Sequence, residues 1–311
     1  MVKFEKTLPK YIRRAFSFNP ILSDKMGLSA KNLGRTLDLF LATWMAKIGL
    51  VILSFFLFVV LYAMLFMPYE RGEVTSGLLQ PMSWEHPFGT DQNGADVLTR
   101  TAHGTWASLT VGFMAMGISM GLGTLVGLAS GYWGGWKDEV IMRVNDVFLS
   151  IPWLVLMIVI SAILGNQSLF TVIIVIGVTG WSTTARIVRS QVLSLKERQF
   201  VERAKALGAG EWHIMKKHIF PNVVPLVFAN AILTIAISIL SESTLSFLKL
   251  GPQDVETWGK VLEDAYTAGA VVGGQYPFIV MPGLCIVFVV LAFTFIGYAM
   301  DEVLNPKLRR R

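Results

Sequence analysis

Glu202-Arg-Ala-Lys-Ala-Leu-Gly-Ala-Gly-Glu-Trp-His-Ile-Met-Lys-Lys-His-Ile-Phe-Pro221 is a charged, helix-forming stretch with a glycine break and a closing proline, set between two long apolar runs. Apolar runs of that length read as membrane spans, so the stretch is a loop on one side of a bilayer. A loop this structured is built to touch something. The chain carries no G-x-x-x-x-G-K-[ST] segment to cradle nucleotide phosphates. The expected contact is therefore another protein that supplies the energy.

Composition agrees with a membrane location. Of 311 residues, 53% are hydrophobic and 15% charged, against about 25% charged in an ordinary soluble domain. The first 47 residues are polar and basic, and the apolar run after them is too long and too late for a cleaved signal peptide. Cys285 is the single cysteine, within an apolar run, and reads as a small buried hydrophobe. One cysteine allows no disulfide within the chain.

A helix rises about 1.5 Å per residue, so about 20 apolar residues cross a hydrocarbon core of about 30 Å. Six segments meet or approach that length: 48–67, 109–131, 147–164, 169–188, 223–245 and 278–300. The third and fourth are joined by Gly165-Asn-Gln-Ser168, a tight hairpin. The fold class expected is all-α, a polytopic membrane protein with six transmembrane helices. Its layout is a tail over 1–30, an interfacial helix over 31–47, a first span over 48–67 and an extracytoplasmic segment over 68–108. A five-helix core follows over 109–300, containing the loop 189–222, and then a tail over 301–311. Alternate loops and the termini hold 23 of the 27 lysines and arginines, leaving Arg71, Arg100, Lys249 and Lys260 on the other side. Positive charge stays in the cytoplasm, which puts both termini and the 189–222 loop there, in a multi-pass protein of the cell membrane. The net charge of +6 thus reflects topology. The basic residues flank spans without interleaved base-stacking aromatics, so no nucleic-acid partner is expected.

Local features refine the picture. Leu33, Leu37, Phe40 and Trp44 share one face of a helix, with Lys31, Arg35 and Asp38 opposite, as in an elbow helix lying on lipid. A plain helical lead-in to the first span is the alternative. Gly117 and Gly121, and Gly123, Gly127 and Gly131, recur four apart on the second span, a spacing that lets helices approach closely in lipid. Pro152 and Pro225 are expected to kink or cap their helices. Glu242 is the one acid within an apolar span, with Ser241, Ser243, Thr244 and Ser246 around it. A charge at the bilayer centre costs at least about 2.5–3.5 kcal/mol, so such groups usually face a bundle interior or a wet cavity. Glu242, Ser241 and Thr244 are accordingly candidates for lining a pathway; an acid snorkelling near the outer interface is the alternative. The four histidines form no metal-ligating pattern, and no nucleophile–base pair stands out, so no metal site and no catalysis are expected.

Within the loop, Ser194-Leu-Lys-Glu197 reads as a capping box opening a helix to about Leu207. Phe200, Ala204 and Leu207 would line one face, with Ala204 and Ala206 keeping the surface low for a partner groove. Gly208 falls where a helix C-terminus needs a left-handed residue. A second short helix would place Trp212, Met215 and Ile219 on one side and Lys216 and Lys217 on the other. Pro221 would stop it and start the fifth span.

On these residues the loop resembles the signature loop of permease subunits of ABC importers, Glu-Ala-Ala, three residues, Gly, nine residues, Ile-x-Leu-Pro. Glu202, Ala204, Gly208 and Pro221 match; Arg203, His218 and Phe220 depart. His86-Pro-Phe-Gly-Thr-Asp-Gln-Asn-Gly-Ala-Asp96 resembles a stretch of the dipeptide/oligopeptide permeases, with Ala95 in place of the usual arginine. Gly131-Tyr-Trp-Gly-Gly-Trp136, Leu245-Ser-Phe-Leu248 and Trp258-Gly259 are similar to the same branch, that of the second permease of each pair. The resemblance implies a type I ABC importer permease fold and a non-catalytic subunit. It implies a homologous second permease, two cytoplasmic ATPase subunits that bind ATP and Mg, and an extracytoplasmic solute-binding protein. No cofactor is expected in this chain. Glu202, Arg203, Ala204, Ala206, Leu207, Gly208, Trp212 and Pro221 would form the ATPase-coupling surface, with Glu202 paired to a basic or amide donor. The implied cargo is di- or oligopeptide, with oligosaccharide or nickel as alternatives within the same machinery. A channel or membrane-embedded enzyme is the remote alternative: an enzyme should show converging ionisable side chains in its spans, and a channel has no need of the loop.

Overall fold

The computed structural model describes residues 34, 36–67, 73–75, 77–165 and 167–304. The expected 1–30 tail, Lys31, Leu33 and Arg35 of the interfacial helix, and residues 305–311 lie outside them. The described residues are helical apart from loops and two isolated bridges, Val74 with Ala95 and Thr90 with Asp96.

Residues 36–42 form a helical turn pair that bends at Thr43, whose Oγ1 donates to the Phe40 carbonyl at 2.6 Å. Of its expected apolar face, Phe40 is buried while Leu37 and Trp44 stay exposed. There follow α1 (Trp44–Phe66), α2 (Val97–Trp133), α3 (Gly135–Ser150), α4 (Trp153–Leu164), α5 (Leu169–Thr179) and α6 (Trp181–Lys196). After them come α7 (Gln199–Ala206), α8 (Glu211–Ile214), a π-helical turn (Met215–Ile219), α9 (Phe220–Phe247), α10 (Trp258–Thr267) and α11 (Tyr276–Leu304). Five helical segments among the described residues are long and apolar enough to cross a membrane, and six if the bent pair α3–α4 counts as one span.

Central α2 packs along α5, α6 and α9, while α1 lies against α11. The contact with α6 is made by the glycine stripe. A Cβ at Gly127 would sit 2.6 Å from the Ala185 carbonyl oxygen and 2.7 Å from Val188 Cβ. Gly123 and Gly131 meet Thr184 and Val192 in the same way, whereas Gly117 and Gly121 face open space. One stripe is thus an internal helix contact, as small residues allow where backbones must touch.

Three expected boundaries move. The second span begins at Val97, inside the segment expected to be extracytoplasmic, because Asp96 caps the helix by accepting from the Thr99 amide at 2.7 Å. Its first turns carry Arg100, Thr101 and Ser108, polar yet buried inside protein, and that polarity hides the helix from a hydropathy window. The third span is not a continuous helix over 147–164. The chain turns by 89° between α3 and α4. Pro152 lacks the amide that would continue α3, and Ile151 before it takes the extended conformation that a following proline favours (φ −88°, ψ 128°). The fifth span runs without interruption from the π-helical turn through Pro221, and Pro225 sits inside it.

Candidate coupling interface

One end of the bundle carries residues 197–219. Lys196 ends α6, and its Nζ donates to the Tyr132 carbonyl at 2.6 Å, above the Tyr132 ring. Helix α7 is held down by Val201 and Ala204. With Ile214, Met215 and Ile219 they bury against Leu128, Tyr132, Val188, Val192 and Val223. Full burial of one such aliphatic side chain is worth about 1.5–3 kcal/mol, so the helix pair is seated on the spans and moves with them.

The α7 C-terminus closes as a Schellman turn. The Gly208 amide donates to the Lys205 carbonyl at 2.9 Å and the Ala209 amide to the Ala204 carbonyl at 3.0 Å. Gly208 takes φ +80°, the left-handed conformation expected of it. A side chain there would meet no neighbour within 4 Å, so the requirement is backbone conformation, not space.

The outward surface differs in detail from the sequence expectation. Ala204 is buried and faces the chain's own core, because the α7 face defined by Val201 and Ala204 is the one packed on α6. The outer face presents Phe200, Glu202, Arg203, Ala206 and Leu207. Trp212 does not share a face with Met215 and Ile219. It lies on the first turn of α8, past the packed surface, and is 70% exposed. Leu207 is 88% exposed. Ser194 and Glu197 make no capping box: α6 runs on through Ser194 to Lys196, and Arg198 occupies the N-cap of α7 without a side-chain bond. Pro221 does not stop a helix. The preceding π-helical turn, in which the Phe220 amide reaches the Met215 carbonyl, carries the chain past it. Among the described residues Glu202 makes no ion pair, so its carboxylate is available to a partner.

A clamp behind the loop escaped sequence reading. Arg189 on α6 donates from Nε and Nη2 to the two carboxylate oxygens of Asp138 on α3, each at 2.6 Å, and Ser130 on α2 also bonds Asp138. The available signal was three acids on α3, Asp138, Glu139 and Asp146, and two arginines on α6, Arg186 and Arg189, which spacing alone does not pair.

Of the candidates for pathway lining, Glu242 and Ser241 are buried and Thr244 is partly exposed. Glu242 is 0% exposed and serves the interior. Its Oε1 accepts from Ser246 Oγ at 2.6 Å, and Oε2 faces Ser108 Oγ of α2 and Ser243 Oγ, both at 3.4 Å. Ser108 Oγ in turn accepts from the Trp258 amide at 3.2 Å, linking α10. The acid is enclosed in this chain's own fold, where three hydroxyls replace water, and it lines no open surface. The Ser241 and Thr244 hydroxyls bond the carbonyls one turn back, Ile237 and Leu240, at 2.8 Å.

At the far end, the His86–Asp96 stretch forms an ordered loop. Arg100 Nη1 meets Asp91 at 2.5 Å, and Nη2 meets Glu256 at 2.8 Å and Asp264 at 2.5 Å. Asp91 also accepts from the Asn93 and Ala95 amides at 2.8 Å, while the His86 ring meets Asp96 at 2.9 Å. The loop, α2 and α10 are thereby one unit.

The family described as "binding-protein-dependent transport system inner membrane component" matches residues 123–310, more than half of the chain. The chain belongs to this family. It is a multi-pass inner-membrane component of a transport system, and the seated helix pair α7–α8 is part of the matched region. The dipeptide transport system permease protein DppC of Alkalihalophilus pseudofirmus is 38% identical over 270 residues, 85% of this chain and 86% of that protein. The oligopeptide transport system permease protein OppC of Haemophilus influenzae is 38% identical over 269 residues, 85% of each. A peptide permease protein of Brucella suis is 34% identical over 278 residues, 88% of this chain and 91% of its own length. The fold is similar to that of a chain of the MetNI methionine ABC transporter, solved in an inward-facing form, with TM-score 0.53 at 20% identity over 67% of this chain and 95% of that one.

Proposed function

We propose that this permease component is one of two homologous membrane subunits of an ATP-driven importer of di- and oligopeptides. Cargo arrives from an extracytoplasmic binding protein, and two cytoplasmic ATPases, which hold ATP and Mg, power the cycle. Both termini and the α7–α8 pair lie in the cytoplasm, the side favoured by 23 of 27 basic residues. The chain itself does no chemistry.

The observation that carries the reading is the seated helix pair. Its inner face is packed against the spans through Val201, Ala204, Ile214 and Ile219. Its outer face leaves Leu207 and Trp212 bare, and an exposed aromatic beside an exposed aliphatic suits a protein contact, since interfaces are enriched in aromatic residues. A rigid element fixed on one side and docked on the other transmits a rigid-body movement. The peptide permeases among the relatives support the cargo class.

The test is co-purification and transport by the assembled complex. Membranes carrying the chain with its genomically neighbouring subunits should yield a stable complex containing a nucleotide hydrolase, and vesicles should accumulate peptide only with ATP. A chain that purifies without any ATPase, or vesicles that take up peptide at the same rate without ATP, contradicts the reading.

A further inference from the structure

Between the coupling helices and the start of α9, the chain carries an open cavity of about 610 Å³ lined by Trp212, His213, Lys216, Lys217 and Pro221. The π-helical turn gathers these side chains. In it the Phe220 amide bonds the Met215 carbonyl, one residue further back than an α-helix reaches. The wider turn brings positions four and five apart onto one side, so 212, 216–217 and 221 share a face. The His213 ring is held against the His218 ring, with centroids 5.9 Å apart.

Both lysines are exposed, and among the described residues neither makes an ion pair. No acid lines the cavity. Glu211, the acid nearest in sequence, lines a separate cavity with Lys196 and Lys205. The positive charge of Lys216 and Lys217 is therefore uncompensated. Further along, the same face turns apolar. Pro221 is followed by Val224 and Phe228, both exposed and on one side of α9. Helix α9 belongs to a run long and apolar enough to cross a membrane, so these two side chains stand at membrane depth. Lys217 lies about 9 Å along the axis from Val223, at about 1.5 Å per residue. Lysines near the end of a span extend their side chains back to the interface.

We propose that this face binds an anionic phospholipid of the cytoplasmic leaflet, with its phosphate between the Lys216 and Lys217 ammonium groups and an acyl chain along Pro221, Val224 and Phe228. The leaflet rests on the cytoplasmic placement of α7–α8 proposed above. A basic cluster continuous with an apolar stripe matches a molecule with an anionic head and an apolar tail. An acidic protein segment in the cytoplasm would satisfy the lysines and leave the stripe bare. A zwitterionic headgroup brings its own cation and so gains less from two unpaired lysines. Trp212 also belongs to the coupling surface, so the bound headgroup sits beside the ATPase contact.

The experiment places the whole complex in phosphatidylcholine vesicles that contain a small fraction of a photoactivatable lipid, either phosphatidylglycerol or phosphatidylcholine with the same reactive group near the head. Peptide mass spectrometry maps the adducts. Labelling within residues 212–228 should be at least fivefold stronger with the phosphatidylglycerol probe. Lys216→Gln/Lys217→Gln should bring it down to the phosphatidylcholine level. Lys216→Arg/Lys217→Arg, which keeps both charges, should stay within twofold of wild type. Equal labelling by the two probes, or undiminished labelling of the glutamine variant, overturns the site. Loss of a cytoplasmic subunit from the glutamine variant with unchanged lipid labelling gives the lysines to a protein partner and overturns it as well. Preferential labelling in a chain that purifies without any ATPase supports the site and contradicts only the importer reading.

Discussion

Arg189 and Asp138 meet through two parallel hydrogen bonds, Nε to one carboxylate oxygen and Nη2 to the other, both 2.6 Å long. The pair joins α6, which leads into the coupling helices, to α3, which leads into the elbow at Pro152. Asp138 is largely withdrawn from water and Arg189 partly so. A bond to a charged partner there is worth about 1.5–3 kcal/mol. Arg189→Ala is expected to lower the melting temperature of the purified complex by several degrees, and Arg189→Lys to recover less than half of the loss, since an ammonium does not reproduce the two-pronged geometry. Thermal unfolding of the variant complexes measures this; full recovery by lysine would show that charge alone matters.

Gly208 is a backbone requirement with empty space around it. Left-handed conformation costs a residue with a Cβ about 1–2 kcal/mol, more for a β-branched one, while asparagine tolerates it. Gly208→Val should insert at normal levels yet hydrolyse ATP without matching uptake, with Gly208→Ala intermediate and Gly208→Asn nearest to wild type. Uptake per ATP across the three variants checks the ranking, and normal coupling in Gly208→Val at wild-type membrane levels refutes it.

Arg100 holds Asp91, Glu256 and Asp264 together at the far end. Removing the cation leaves Asp91, almost wholly buried, and Asp264 without a counter-charge, while Glu256 keeps Lys260 at 3.6 Å, and breaking such a buried arrangement costs about 3–5 kcal/mol. Arg100→Ala should reduce the membrane level of the chain severalfold, and more than Asp91→Asn, which leaves two acids on the arginine. Quantitative immunoblotting of membranes from a protease-deficient host provides the comparison.

What could be read from the sequence divides along physical lines. The membrane class, the α4–α5 hairpin, the close helix contact at Gly123, Gly127 and Gly131, and the left-handed turn at Gly208 each have a local cause: apolar length, a missing Cβ or a backbone angle. The start of α2 does not. Arg100 and Ser108 are polar and satisfied inside protein, and hydropathy cannot tell that from exposure. Ala204 turned inward and Trp212 outward because tertiary packing on α6, together with a π-helical turn, sets the rotation of these short helices. Glu242 was the hardest to read. Its hydroxyl neighbours Ser243 and Ser246 suit a wet pathway equally well, and only Ser108 from α2 and Trp258 from α10 show that the acid closes the interior. A cavity at the α3–α4 elbow is lined from six helices, α2 to α6 and α9, so no window of sequence contains it.

The central claim is that the outer face of α7–α8 plugs into a nucleotide hydrolase. Its most direct measurement is site-specific crosslinking in the assembled complex, with Cys285→Ser removing the native thiol and single cysteines placed at Phe200, Ala206, Leu207 and Trp212. The account predicts that Leu207→Cys and Trp212→Cys crosslink to an ATPase subunit in high yield, and that the yield changes when ATP binds. A complete complex in which none of the four positions ever captures that subunit contradicts it.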